Sequence, residues 1–235
     1  MNNLIICLVV AFCIVQISNV QAESLEVLKA RLQQSKGNVN RVISDLERSK
    51  RNLEFDLGVK LSNSKINSMQ SINDLTNPAM KELRDAVNAA KEQGKDADRC
   101  LESGRLALRE ISLSSFASLD ACVSNAKQGI VPAQNNMDAT IGVARQLLSA
   151  LDSIFPNCYS SNIFQMQSCI SLAIGKANGT IRSLQSTAEN VKSSGNVASS
   201  NSYIKGNSCM SGVVSSARPK VPVAVNDAKA CIESA

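Results

Sequence analysis

Six cysteines between positions 100 and 231 constrain this chain more than any other feature. Cys100, Cys122, Cys158, Cys169, Cys209 and Cys231 are separated by 21, 35, 10, 39 and 21 residues, a near-palindrome that suggests helical hairpins carrying thiols on facing turns. No interval has the short spacing of a zinc-binding pair, there is no Cys-x-x-Cys, and the chain has no histidine to activate a thiolate, so all six read as structural. Two further cysteines, Cys7 and Cys13, fall within residues 1–22, where an apolar run over 4–17 followed by small side chains before Ala22 reads as a secretory signal peptide. Cleavage there leaves an even number of thiols for an oxidising compartment. The apolar run, about 14 residues, falls short of the roughly 20 that a spanning helix needs, so no integral membrane association is expected.

With no Trp and only 3% aromatic residues, the core must be built from Leu, Ile, Val, Ala and smaller side chains. That palette suits packed helices rather than a β-sandwich. From residue 23 to about 75, Leu25, Leu28, Leu32, Val39, Val42, Leu46, Leu53, Leu57, Leu61, Ile72 and Leu75 recur at near-heptad spacing, with Ser35 and Ser49 on the same seam. Asn77-Pro78 then reads as a stop and restart, because Asn caps helices and Pro is tolerated at their first position. A second seam runs from Met80 through Leu83, Val87, Ala90, Gly94, Ala97 and Leu101 towards the breaker Gly129-Ile130-Val131-Pro132. Further helices are expected over about 133–154 and 162–192. The Ser193-Ser194-Gly195-Asn196 cluster should end the latter, and a last element, interrupted at Pro219 and Pro222, carries Cys209 and Cys231. The expected fold is therefore all-α: an elongated antiparallel bundle of about five helices, with a charged helical hairpin over 23–98 and a cysteine-stapled domain over 99–235.

Six cysteines admit fifteen complete pairings, and the sequence does not select among them. In an antiparallel hairpin, facing residues have a midpoint at the turn. The midpoint of Cys100 and Cys158 is 129, on the Gly129 breaker, and that of Cys169 and Cys231 is 200, beside the Ser/Asn-rich stretch. These two bonds are expected, with Cys122–Cys209 joining the hairpins. A Cys100–Cys122 bond is disfavoured if one helix carries both, because about 22 residues of helix span roughly 33 Å.

Without histidine, the commonest general base and zinc ligand are missing, and no catalytic residue, metal ligand or cofactor is assigned. Asp96, Asp98 and Glu102 alternate with Lys95, Arg99 and Arg105, the pattern of a solvated ion-pair face. The net charge of +5 is dispersed, and its densest basic cluster, Arg48, Lys50 and Arg51, is interleaved with Asp45, Glu47 and Glu54, so no nucleic-acid partner is expected. One sequon, Asn178-Gly179-Thr180, makes Asn178 a candidate N-glycosylation site. Ile163, Phe164 and Met166, close to Cys158-Tyr159, are the candidate lining of a small lipophilic pocket.

A signal-like start, a charged helical stretch and a Ser/Ala-rich cysteine region beginning Arg99-Cys100-Leu101, with Asn157-Cys158-Tyr159 inside it and Cys231-Ile232 near its end, together resemble the insect secreted proteins of the TsetseEP domain family. The resemblance covers about 99–231. It implies a small secreted insect protein of gut lumen or haemolymph, with a connection to defence and no enzyme activity; the Glu-Pro repeat tail of the family's gut protein has no counterpart here. The resulting expectation is a secreted, extracellular, non-enzymatic helical protein that binds an extracellular protein or glycan or forms a protective layer. The alternative is a carrier holding a lipophilic ligand in an apolar cavity of the bundle.

Overall fold

The structure, a computed structural model, describes residues 24–235. The signal-peptide reading of 1–22 lies outside the described residues. All regular secondary structure among them is helical: α1 (Leu25–Glu92), α2 (Asp98–Gln128), α3 (Val131–Asp152), the single turn α4 (Ile154–Asn157), α5 (Ile163–Ala217) and α6 (Lys220–Ser234). Three disulfides lie in the C-terminal half.

Two of the expected helix breaks do not occur. At Asn77-Pro78 the chain does not turn, so α1 is one helix of 68 residues rather than a hairpin. An interior proline forfeits one backbone hydrogen bond and costs about 3 kcal/mol. Here Pro78 and Asp74, whose carbonyl loses its donor, are both exposed to water. The buried seam meanwhile passes without a change of register through Ile72, Thr76, Ala79, Leu83, Val87 and Ala90. Thr76 is the step that a purely apolar pattern misses; its hydroxyl donates to the Ile72 carbonyl at 3.1 Å and is thereby satisfied inside the core.

The helix ends instead at Gly94, whose φ of +80° only glycine adopts without strain. Lys95 N–H donates to the Ala90 carbonyl and Gly94 N–H to the Lys91 carbonyl, the paired bonds of a Schellman cap. Gly94 is therefore a terminator and not part of the seam of a longer second helix. The Ser193-Ser194-Gly195-Asn196 cluster likewise fails to break α5. Its buried face there consists of small residues, Gly195, Ser202 and Gly206, so what reads as a loop composition is the narrow side of a helix.

The chain divides into two compact units that do not follow the expected boundary near 98, because α1 and α5 each contribute to both. One unit combines 24–48 with 137–190. Within it α1 runs antiparallel to α3, with ion pairs Lys36–Asp152 and Glu47–Arg145, and parallel to α5, with Ser35 bonded to Asn178. Its buried side chains include Leu28, Val39, Leu46, Met137, Leu151 and Ile170. The other unit combines 49–136 with 191–235. There α1 is antiparallel to α2 through Lys65–Asp120 and Lys91–Asp98, while α2 packs against α6. Leu57, Leu61, Ile72, Leu119 and Met210 form one apolar cluster of this unit, and Leu83, Leu108, Val221 and Val225 belong to a second.

The disulfides are Cys100–Cys231, Cys122–Cys209 and Cys158–Cys169, with Cα separations of 5.6, 5.7 and 5.6 Å. Cys122–Cys209 is the expected bond; Cys100–Cys158 and Cys169–Cys231 are not formed. The hairpin relation holds, but about a different turn from 129 or 200. Gly129 keeps a right-handed helical backbone (φ −63°, ψ −20°), so the α2–α3 junction is a pause in the helix and not a reversal, and position 200 lies inside unbroken α5. The reversal is at 158–162, between α4 and α5. The numbers of the bonded cysteines accordingly add to 331, 331 and 327, which is a nested set of rungs about that turn.

Nesting sets the expected energetics. The outer bond closes 131 residues, but with the 87 spanned by Cys122–Cys209 already closed it adds a loop of only 44. In the chain-entropy picture this gives about 4 kcal/mol for Cys100–Cys231 and about 3 kcal/mol for Cys158–Cys169. Urea unfolding should therefore show the double Cys→Ser variant of the outer pair about 1 kcal/mol less stable than that of the inner pair. Close helix approach gives a second expectation. A Cβ at Gly206 would stand 2.7 Å from Leu61 Cδ2 and 2.8 Å from Ala126 Cβ, whereas one at Gly212 on the same helix meets nothing within 4 Å. Gly206→Ala should destabilise by about 1–3 kcal/mol, and Gly212→Ala should stabilise by up to about 1 kcal/mol, both read from the urea midpoint.

Candidate functional site

Of the three carboxylates near residue 100, Asp98 and Glu102 form ion pairs and Asp96 accepts from Asp98 N–H at 3.3 Å. Asp98 bonds Lys91 at 2.6 Å, and Glu102 receives Arg105 Nε and Nη2 at 2.7 and 2.5 Å. The hydrogen bond from Arg105 holds the Glu102 carboxyl below its ordinary value and raises the guanidinium in turn. Lys81 is raised in the same way by its hydrogen bond to Asp85. All of these groups are exposed on helix faces, where such pairs contribute little. Among the described residues no cluster of three or more Cys, Asp or Glu side chains could hold a metal ion, and no helix is long and apolar enough to cross a membrane.

Ile163, Phe164 and Met166 lie in the first turn of α5, which Asn162 caps by accepting from Phe164 N–H at 3.0 Å and Gln165 N–H at 3.3 Å. Phe164 is 68% exposed and Ile163 44%, and none of the three belongs to the α1/α5 groove. The cap and Cys158–Cys169 place this turn at the helix junction, where two of the side chains point to water.

A groove of about 570 Å³ instead lies further along α5, between that helix and the N-terminal part of α1, inside the unit formed by 24–48 and 137–190. Its floor is apolar, with Leu28 fully buried and Ile174 and Ile181 each 3% exposed. Its walls are polar. Gln34 and Asn38 from α1 stand with Asn178 and Gln185 from α5, and Arg31 and Arg182 add a guanidinium from each helix; among the described residues no carboxylate lines the groove. The parallel register of the two helices creates this chemistry, because the apolar seam faces inward while the flanking polar positions of both helices meet at the rim.

Ser35 is 3% exposed and occupies the core seam of α1 where a leucine would close the bundle. Its hydroxyl donates to Asn178 Oδ1 at 2.9 Å, bridging α1 and α5. Asn178, read from the sequence as a candidate N-glycosylation site, is thus half-buried and part of the groove wall. Reading the sequence for function missed the groove. The only available signal was a serine interrupting a leucine seam, and that gained meaning only with the partner 143 residues away.

Comparison with protein-family models, with curated proteins and with solved structures finds no match for the chain. The class the fold defines is an all-α, three-disulfide helical protein. The Ser35–Asn178 bond should be worth about 1 kcal/mol. A Ser35→Ala, Asn178→Ala double-mutant cycle, followed by urea unfolding, should return a coupling energy of that size.

Proposed function

We propose that the protein is a secreted, non-enzymatic helical binding protein of insect gut lumen or haemolymph that takes a glycan or similarly hydroxyl-rich ligand in the α1/α5 groove. The observation that carries this reading is the groove itself, with a buried floor of Leu28, Ile174 and Ile181 beneath walls of amides and guanidiniums. A sugar ring has the same division, with C–H faces that rest on apolar surface and hydroxyls that exchange hydrogen bonds with carboxamides and arginine forks. A lipophilic guest would bury the carboxamides of Gln34, Asn38 and Gln185 without offering them hydrogen bonds, at about 1–3 kcal/mol each. The groove therefore favours the binding reading over the carrier. Extracellular residence is supported by three disulfides, which persist in oxidising compartments, and by the leader-like composition of residues 1–22. The insect setting and a part in defence rest on the TsetseEP-like cysteine layout.

Oxidised protein refolded from bacterial expression, and hence free of N-glycan, should bind a subset of a glycan array spanning neutral, sialylated and sulfated structures. The Gln34→Leu/Gln185→Leu variant should bind the same glycans about thirtyfold more weakly, as two lost hydrogen bonds of about 1 kcal/mol each imply. An array without signal, or a variant that binds as well as the parent, overturns the proposal; lipid copurified from the native fluid would support the carrier instead.

A further inference from the structure

We propose that Asn178 carries an N-linked glycan whose first sugars lie in the α1/α5 groove, so that glycosylation closes the site which the unmodified chain leaves open. This rests on the secretory route and the binding site proposed above, and it assigns that site its regulation.

Three observations converge on it. The sequon Asn178-Gly179-Thr180 supplies the acceptor amide and the hydroxyl two residues on. Asn178 also lines the groove, and the atom engaged by Ser35 is Oδ1, at 2.9 Å, which leaves Nδ2, the atom that bears an N-glycan, outside that bond. Because the carboxamide is planar, holding Oδ1 against α1 fixes the direction in which a substituent leaves Nδ2. Finally, the surface of α5 beside Asn178 is unfilled. Gly175, one turn earlier and itself part of the groove, and Gly179 both lack a side chain, and a Cβ built on either meets nothing within 4 Å. The neighbouring amides of Gln34, Asn38 and Gln185 are suited to receive sugar hydroxyls.

The modification is transfer of an oligosaccharide from a polyprenyl-diphosphate donor by the host's transferase. A new C–N bond joins the sugar's anomeric carbon to Nδ2, the bond from that carbon to the diphosphate oxygen breaks, the amide gives up one proton and the lipid diphosphate leaves. Transfer must precede packing of α5, because in the folded chain the half-buried amide is tied to Ser35. Chains that escape modification in that interval fold with the groove open, so one gene product yields a closed and an open form. If the glycan vacates the groove about a tenth of the time, an external ligand binds the modified form about tenfold more weakly.

The test uses the full chain secreted from insect cells, compared with Thr180→Ala, which removes the sequon and leaves every groove residue in place. Glycopeptide mass spectrometry should find the glycan on Asn178 of the parent and none on the variant. Arg182, exposed at the groove wall, should be modified by phenylglyoxal about tenfold more slowly in the glycosylated protein than in Thr180→Ala, following the same open fraction. Arg84 and Arg109, in the other unit, should react equally in both proteins. An unmodified Asn178, or equal rates at Arg182, overturns the proposal. Failure of Thr180→Ala to bind any glycan on the array overturns the binding reading instead, and leaves the closure to be decided by the Arg182 rates.

Discussion

Helices that meet through small side chains must meet closely and in one register, and the rest of this structure follows from that requirement. With few aromatic residues to fill gaps, the core depends on contacts such as Gly206 against Leu61 and Ala126, which a displacement of one residue would destroy. The disulfides hold that register. Cys122–Cys209 fixes α2 against α5, and Cys100–Cys231 fixes α2 against α6. In the other unit Cys158–Cys169 ties the α4–α5 reversal to the second turn of α5. Each bond joins one buried sulfur to one on an exposed position, so the rungs lie along the edge of the core and replace little of its volume.

The same demand explains why composition misleads along this chain. Glycine, serine and threonine usually mark loops, since they lower helix propensity by up to about 1 kcal/mol each. Within long helices already held by tertiary contacts, that local cost is outweighed by what close packing returns. Thr76 bonds back to Ile72, Ser35 bonds across to Asn178, and Gly206 admits a neighbouring helix. Two of these departures are structural. The third, at Ser35, coincides with the groove, where the bundle exchanges a leucine's packing for a polar bridge and a space with hydrogen-bonding walls.

The groove also gives the charge distribution a place in the functional reading. Several ionic groups form exposed pairs on helix faces, such as Lys81–Asp85 and Glu102–Arg105. Arg31 and Arg182 line a concave surface over an apolar floor, a setting in which a guanidinium can meet a ligand. The proposed binding reading asks for no activated nucleophile and no perturbed base at such a site.

The sequence by itself determined the all-α class, the structural use of the six cysteines, and most of the buried seam from Leu28 to Leu61, because heptad spacing and a small aliphatic palette leave few other solutions. It also placed the sequon and the start of a helix near residue 162. It could not determine which breakers break. Pro78 and Ser193–Asn196 are strong local signals overridden by packing, whereas Gly94 terminates α1 because its positive φ completes a cap. The disulfide partners depended on the same point: the palindrome of intervals contained the nested pairing, but the location of the reversal decided it, and only the fold showed the chain turning at 158–162 rather than at 129 or 200. The groove belongs wholly to the tertiary structure, since its two walls are about 143 residues apart in the chain and meet only through the parallel register of α1 and α5.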